Sequence, residues 1–163
     1  FFLFALAILM VFRVLPVWPV MAVIAVSLLV LDRKALKMVD YGLLMTFVCF
    51  FVFAGNAGRI GAVRAFFSGL LEKSALLTAV LSCQCISNVP SAILLSQFTD
   101  NYRALLMGVN IGGAGTLVAS LASLITFREY AAHDPAGVKN YILRFSAFNF
   151  GFLAILTGLC LLL

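Results

Sequence analysis

The sequence predicts an all-α polytopic membrane protein with about five transmembrane helices plus a re-entrant hairpin. Hydrophobic residues make up 64% of the sequence and charged residues 10%, and the mean hydropathy is +1.17. A soluble core of this chain length could not bury so much apolar surface. The apolar residues also fall in long runs separated by short polar segments, as membrane helices do. We therefore expect residues 1–163 to form a single transmembrane domain with lipid as its main solvent.

The first third of the chain is predicted to cross the membrane repeatedly. Its apolar runs cover about residues 1–12, 14–31 and 41–54. Pro16 and Pro19 stand near the start of the second run, where the first turn of a helix has free N–H groups anyway. Residues 32–37 form a charged connection to the third run. These runs predict three membrane crossings before the first glycine-rich segment.

A re-entrant hairpin is predicted at residues 74–98. It follows an amphipathic segment, residues 62–73, which is expected to lie along the membrane interface. The apolar run is interrupted by Gln84 and by residues 87–91, Ser-Asn-Val-Pro-Ser. Each arm is then about 12 residues long, or roughly 18 Å as a helix, which is too short to span the membrane. Arms of this length fit a chain that enters the membrane and returns to the same side.

A broken helix is predicted at residues 102–127, interrupted at its centre by the glycine-rich residues 110–116. Asn110 is expected to end the first half-helix and Thr116 to begin the second, because amides and hydroxyls cap helix ends well. A polar loop at residues 128–140 and a last span at residues 141–163 follow. The chain therefore contains two predicted discontinuities at membrane depth.

Both discontinuities are candidate binding sites. A helix broken inside a bilayer exposes backbone N–H and C=O groups that no water satisfies, unless they line a cavity or bind something. Discontinuous helices supply the ion and substrate sites of many secondary transporters. The predicted substrate-binding or ion-binding residues are Ser87, Asn88, Ser91, Asn110, Gly112, Gly113, Gly115 and Thr116.

Purely structural roles are the alternatives for the same residues. Asn88 would then cap the returning arm, and Ser91 would bond a backbone carbonyl. Gly108 and Gly112 have the spacing at which two membrane helices pack closely, so glycines near the break also fit a packing role. The sequence leaves these alternatives open.

Enzymatic activity is not expected. The sequence contains no HExxH motif, no phosphate-binding glycine loop with lysine and no apparent Ser-His-Asp arrangement, so we predict no catalytic residue, no metal site and no cofactor. The net charge of +5 comes without a dense basic stripe, which argues against nucleic acid as a partner. The cysteines stand in apolar surroundings and are interpreted as small buried hydrophobes.

Residues 87–95, Ser-Asn-Val-Pro-Ser-Ala-Ile-Leu-Leu, and residues 110–117, Asn-Ile-Gly-Gly-Ala-Gly-Thr-Leu, together resemble a known signature. It is the second-repeat signature of the ion-transporter superfamily, which includes arsenite permeases, citrate and divalent-anion symporters and related sodium/proton antiporters. The order of spans over essentially the whole chain is similar to the second inverted repeat of that fold. Val89 stands where carboxylate-transporting members have threonine, which argues against a dicarboxylate substrate. The tip containing Asn and Pro and the glycine-rich break look closer to the arsenite-permease-like and uncharacterised permease branches.

The resemblance implies one inverted repeat of a secondary transporter, whose site is made jointly by two hairpin tips. Ser87 and Asn88 would line the substrate and cation site, and the backbone of residues 112–116 would complete the cation ligands. The first repeat is not part of this sequence. If the chain is complete, a partner half or a homodimer would be needed to build one site. If it is a fragment, transport by this piece alone is not expected.

The predicted function is ion-coupled secondary transport, a symport, of a small anion, either an inorganic oxyanion or a carboxylate. Sodium or a proton would be the coupling cation. The alternatives are a sodium/proton antiporter and a non-transporting membrane scaffold or sensor. We expect an integral protein of the bacterial inner membrane, in contact with lipid.

Overall fold

The computed structural model describes residues 1–162, and all regular structure in that range is helical, which confirms the all-α prediction. The helices are α1 (Phe2–Val11), α2 (Val17–Leu31), α3 (Arg33–Lys37), α4 (Tyr41–Ala57), α5 (Gly61–Ile86), α6 (Asn88–Leu95), α7 (Tyr102–Gly112), a 3-10 helix (Leu117–Ala119), α8 (Leu121–His133) and α9 (Val138–Leu162).

Among the described residues, α5 and α9 are the helices long and apolar enough to cross a membrane, judged by length and composition. They contain 26 and 25 residues. The helices α1, α2 and α4 are also apolar but shorter, with 10 to 17 residues. This composition agrees with a membrane protein, and the number and order of crossings stay predictions.

The described chain divides into two compact units, Phe1–Met45 and the residues from Thr46 onward. In the first unit, α2 packs against both α1 and α3. Asp32 caps α3, because its Oδ1 accepts hydrogen bonds from the backbone N–H groups of Lys34 and Ala35 at 3.0 and 3.2 Å. The second unit contains both predicted discontinuities.

The core of the second unit is centred on the packing of α5 against α6 and α7. Glycines on α7 allow the helices to approach closely. A Cβ atom added at Gly108 would lie 2.6 Å from Leu76 O and 2.7 Å from Ala79 Cβ, and one added at Gly112 would lie 2.9 Å from Cys83 Sγ. The Gly108 and Gly112 spacing therefore serves close helix packing, as the structural alternative proposed.

The long helix α5 is kinked at Ser74, the residue at which the hairpin was predicted to begin. Ser74 has non-helical backbone angles, and its Oγ accepts a hydrogen bond from Leu77 N at 3.2 Å, which caps the second part of the helix. Thr78 Oγ1 donates to Leu70 O across the kink at 3.1 Å. The location of the preceding segment at the membrane interface stays a prediction.

The region predicted as a polar loop, residues 128–140, is partly helical. Helix α8 continues to His133, and α9 already begins at Val138. The chain leaves the helix at Asp134, which precedes proline and is therefore disfavoured in the helical region. Asp134 also accepts hydrogen bonds from Tyr130 Oη at 3.0 Å and from Gly137 N at 2.9 Å. The final residue of the predicted last span, Leu163, lies outside the described residues.

Candidate functional site

The chain reverses direction at Ser87, the single residue between α5 and α6. Ser87 N donates to Cys83 O, and Ser91 N donates to Ser87 O, both at 3.1 Å, so helical bonding stops and restarts at this residue. Ser82 Oγ and Ser91 Oγ lie 2.9 Å apart although they are nine residues apart in sequence. A continuous helix would separate them by roughly 13 Å. The two arms therefore lie side by side.

Ser87 has φ +73° and ψ +159°, a backbone conformation that is essentially restricted to glycine. Its side chain makes only long contacts, 3.4 Å from Oγ to both Ala119 O and Asn88 Oδ1. A strained residue at the tip of a hairpin is a common property of functional sites. The tip is therefore both strained and in contact with the second discontinuity.

The strain at Ser87 predicts an unusual order of stabilities. Ser87→Gly is expected to be more stable than Ser87→Ala by about 1–3 kcal/mol, because glycine adopts this conformation without steric conflict and alanine does not. Thermal unfolding of the two variants in detergent measures the difference. At Ser68, inside α5, alanine should instead be the more stable variant by about 1 kcal/mol. The same order at both positions would contradict the assignment of strain to Ser87.

The second discontinuity begins after Gly112, where α7 ends, and extends to Ser120, which precedes α8. Gly113 still has helical angles, whereas Gly115 has φ +120°, a value that L side chains rarely adopt. Thr116 is the N-cap of the short 3-10 helix and has an extended backbone. The helix is thus interrupted for several residues, as the sequence predicted, although the interruption starts later than Asn110.

The side-chain amide of Gln84 joins the hairpin to this discontinuity. Its Nε2 lies 2.8 Å from Gly112 O, 3.2 Å from Ala114 O and 3.1 Å from Val80 O, all hydrogen-bond acceptors. Its Oε1 accepts a hydrogen bond from Thr116 N at 2.9 Å. Thr116 Oγ1 donates in return to the backbone carbonyl of Gln84 at 3.2 Å. The amide therefore satisfies backbone groups that the break leaves without helical partners.

Asn88 places an unused donor beside the break. Its Oδ1 accepts from Val89 N at 2.9 Å, while its Nδ2 donates to no atom of residues 1–162. This nitrogen lies next to Gly113, since a Cβ added there would be 3.2 Å from it. The half-buried Asn88 thus bonds the backbone N–H of the next residue in its own helix and leaves its amide N–H groups available.

No charged side chain contributes to this arrangement. Residues 74–99 and 104–127, which include the hairpin and the break, contain no Asp, Glu, Lys or Arg. Any electrostatic preference of the site therefore comes from backbone and amide dipoles, including the positive N-terminal end of α6. Within residues 1–162, no group of three His, Cys, Asp or Glu side chains could hold a metal ion.

The structure separates the predicted site residues into two groups. Ser87, Asn88, Gly113, Gly115 and Thr116 come together at the contact between hairpin and break. The other three lie elsewhere or serve packing: Ser91 is fully buried against Ser82, Gly112 packs on Cys83, and Asn110 is exposed.

One expectation about the break is corrected. Asn110 does not end α7, because its Nδ2 bonds Leu106 O at 2.7 Å in the preceding turn and the helix continues to Gly112. The carbonyls of Gly112 and Ala114 each accept a hydrogen bond from the Gln84 amide, and their role as cation ligands stays a prediction.

Two curated proteins are similar to the chain. A protein named uncharacterized transporter, from Methanocaldococcus jannaschii, is 42% identical over 106 residues, which cover 65% of this chain and 30% of that protein. Inner membrane protein YbiR of Escherichia coli is 35% identical over 111 residues, 66% of this chain and 30% of that protein. The matched segment thus spans less than a third of each relative. No family model and no solved structure matches the chain.

One of these relatives is named a transporter and the other an inner membrane protein. Together with the apolar helices α5 and α9, the similarity to an inner membrane protein supports a membrane location for this chain.

Gln84 belongs to this site but is not among the residues that the sequence predicts for it. In the sequence it is only an interruption of an apolar run. The feature that could have identified Gln84 is its long amide side chain. This side chain lies in the first hairpin arm, and the next predicted helix contains a break. A buried amide without a partner is costly, so Gln84 should have been expected to bond backbone groups at one of the two discontinuities.

Proposed function

We propose that this chain forms one half of an ion-coupled secondary transporter for a small anion, an inorganic oxyanion or a carboxylate. The substrate would bind at the contact between the hairpin tip and the helix break, and sodium or a proton would be the coupling cation. The membrane helices and the similarity to a protein named transporter support the general part of this proposal.

The observation that carries the anion assignment is the free Nδ2 of Asn88. The carbonyls of Gly112 and Ala114 each accept a hydrogen bond from Gln84, whereas the Asn88 amide nitrogen donates to no described atom. What the tip offers to a ligand is therefore a donor next to the N-terminal end of α6. Amide donors and helix N-termini favour negative charge.

A single hairpin tip contacts a small anion from one side only. We propose that the other side is supplied by a corresponding repeat or by a second copy of the chain related by symmetry. In this arrangement the hairpin and the broken helix would move together against the remaining helices, which is the usual basis of alternating access.

The test is the thermal stability of the protein, expressed from its complete reading frame and purified in detergent. Unfolding is followed in sodium or potassium salts, with arsenite, sulfate, phosphate, succinate or citrate added. One class of anion should stabilise the protein, by about 2.7 kcal/mol at 100 times its Kd, and more in sodium if sodium is the coupling ion. A flat response to every anion would contradict the proposal.

Two other outcomes would favour the alternative functions. Stabilisation by sodium alone would favour a sodium/proton antiporter.

The scaffold or sensor alternative is favoured by one observation, the close packing of Gly108 and Gly112 against α5, because it shows that part of the glycine cluster serves packing. A scaffold should show no response to anions and no flux in reconstituted vesicles.

A further inference from the structure

Three backbone carbonyl oxygens surround the Nε2 atom of Gln84. Val80 O belongs to its own helix, whereas Gly112 O and Ala114 O come from the end of α7 and the residues after it. All three oxygens lie 2.8 to 3.2 Å from the nitrogen. Backbone carbonyls at a helix break are also the groups with which broken membrane helices coordinate a cation.

Like a cation, the Gln84 amide places positive charge beside these carbonyl oxygens, but it carries no net charge. Its N–H groups are donors and carry partial positive charge towards the C-terminal end of α7, where the helix dipole is negative. Its Oε1 simultaneously accepts from Thr116 N. The side chain thus donates to backbone carbonyls and also accepts from a backbone N–H group. A metal ion could bind the carbonyls but could not accept from the N–H group.

The backbone around the break is shaped to admit this amide. Gly115 has φ +120°, and a Cβ added there would overlap Gln84 Oε1 and lie 2.9 Å from its Cδ. Both the backbone angle and the available space therefore require glycine at this position. Thr116 strengthens the contact by donating its hydroxyl hydrogen to Gln84 O.

We propose that Gln84 is a positioning residue whose amide takes the place of a metal cation at the break, so that a coupling cation, where one is used, binds elsewhere in the protein. The inference rests on the proposed function only in treating the break as part of a transport site. It assigns the break a fixed, cation-independent structure and leaves Asn88 as the ligand-facing group of this half.

Hydrogen exchange of the Thr116 amide tests the proposal in the unmodified protein. Its N–H is held by Gln84 Oε1, so exchange should be equally slow in sodium chloride and in choline chloride of the same ionic strength. Exchange that accelerates in sodium would show that the cation displaces the Gln84 side chain and would overturn the proposal. Because no transport or anion binding is measured, this result is independent of whether the proposed function fails.

The variant Gln84→Glu provides a second test. It replaces the donor group by an oxygen that faces the carbonyls of Gly112 and Ala114, so the variant should need a cation where the parent does not. Its Tm is expected to rise by several degrees when sodium replaces choline. Gln97→Glu, at an exposed position, controls for the added charge. An equal sodium response of the two variants would also overturn the proposal, and if Gln84→Glu does not fold, the exchange measurement decides.

Discussion

Asn88→Ala is expected to weaken anion binding by about 10- to 150-fold, because a hydrogen bond to a charged group contributes about 1.5–3 kcal/mol. The substitution removes the Nδ2 donor beside Gly113. It also removes the Oδ1 that accepts from Val89 N, so some loss of stability is expected as well. The increase in the free energy of unfolding with anion concentration gives the Kd of each variant and measures the effect.

Asn88→Asp separates binding from folding. The carboxylate retains an acceptor for Val89 N, but it removes the donor and adds a negative charge that repels an anion. We expect this variant to fold and to show no anion-dependent stabilisation. Asn56→Ala is the matched control for Asn88→Ala, because Asn56 is an exposed asparagine whose side chain bonds only the carbonyl of Val52 in its own helix. Undiminished binding by Asn88→Asp would refute the role of Asn88.

Gly108→Ala is expected to lower the free energy of unfolding by about 1–3 kcal/mol, the usual cost of overpacking. The added methyl group would lie 2.6 Å from Leu76 O and 3.2 Å from Leu76 Cα. These are backbone atoms of the neighbouring helix, which cannot rotate away as a flexible side chain can. Thermal or chemical unfolding in detergent would show the loss.

Gly151→Ala is the control for this substitution, because nothing lies within 4 Å of a Cβ added at Gly151 in α9. There alanine should be neutral or slightly stabilising through its higher helix propensity. If the two variants unfold alike, the close crossing of α5 and α7 is not a source of stability.

The sequence predicted the positions of the discontinuities because both depend on local chemistry. A run of polar residues ending at Ser91 and a cluster of glycines after Asn110 interrupt otherwise apolar segments, and each interruption is present in the structure. The predicted boundary between an amphipathic and an apolar segment coincides with the kink of α5 at Ser74. Periodicity and helix-breaking residues carry this information without any knowledge of tertiary contacts.

The contacts between the discontinuities were not predictable in the same way. Gln84 and Gly112 are 28 residues apart in sequence, and only the packing of α5 along α7 brings them together. Asn110 was assigned to the helix end because asparagine is a good capping residue, but its amide bonds Leu106 O and α7 continues. Tertiary packing and side-chain bonding within the helix decide such positions, and neither is encoded in a local pattern.

The neutrality of the hairpin and the break has a consequence for how binding responds to solution conditions. Because residues 74–99 and 104–127 contribute no carboxylate, amine or guanidinium, this half of the site does not titrate between about pH 5 and pH 7. A change in affinity over that range would then report the protonation of the anion itself or of groups outside this half. Ionic screening should likewise weaken binding only slightly here, since dipoles at contact distance, rather than distant charges, would hold the ligand.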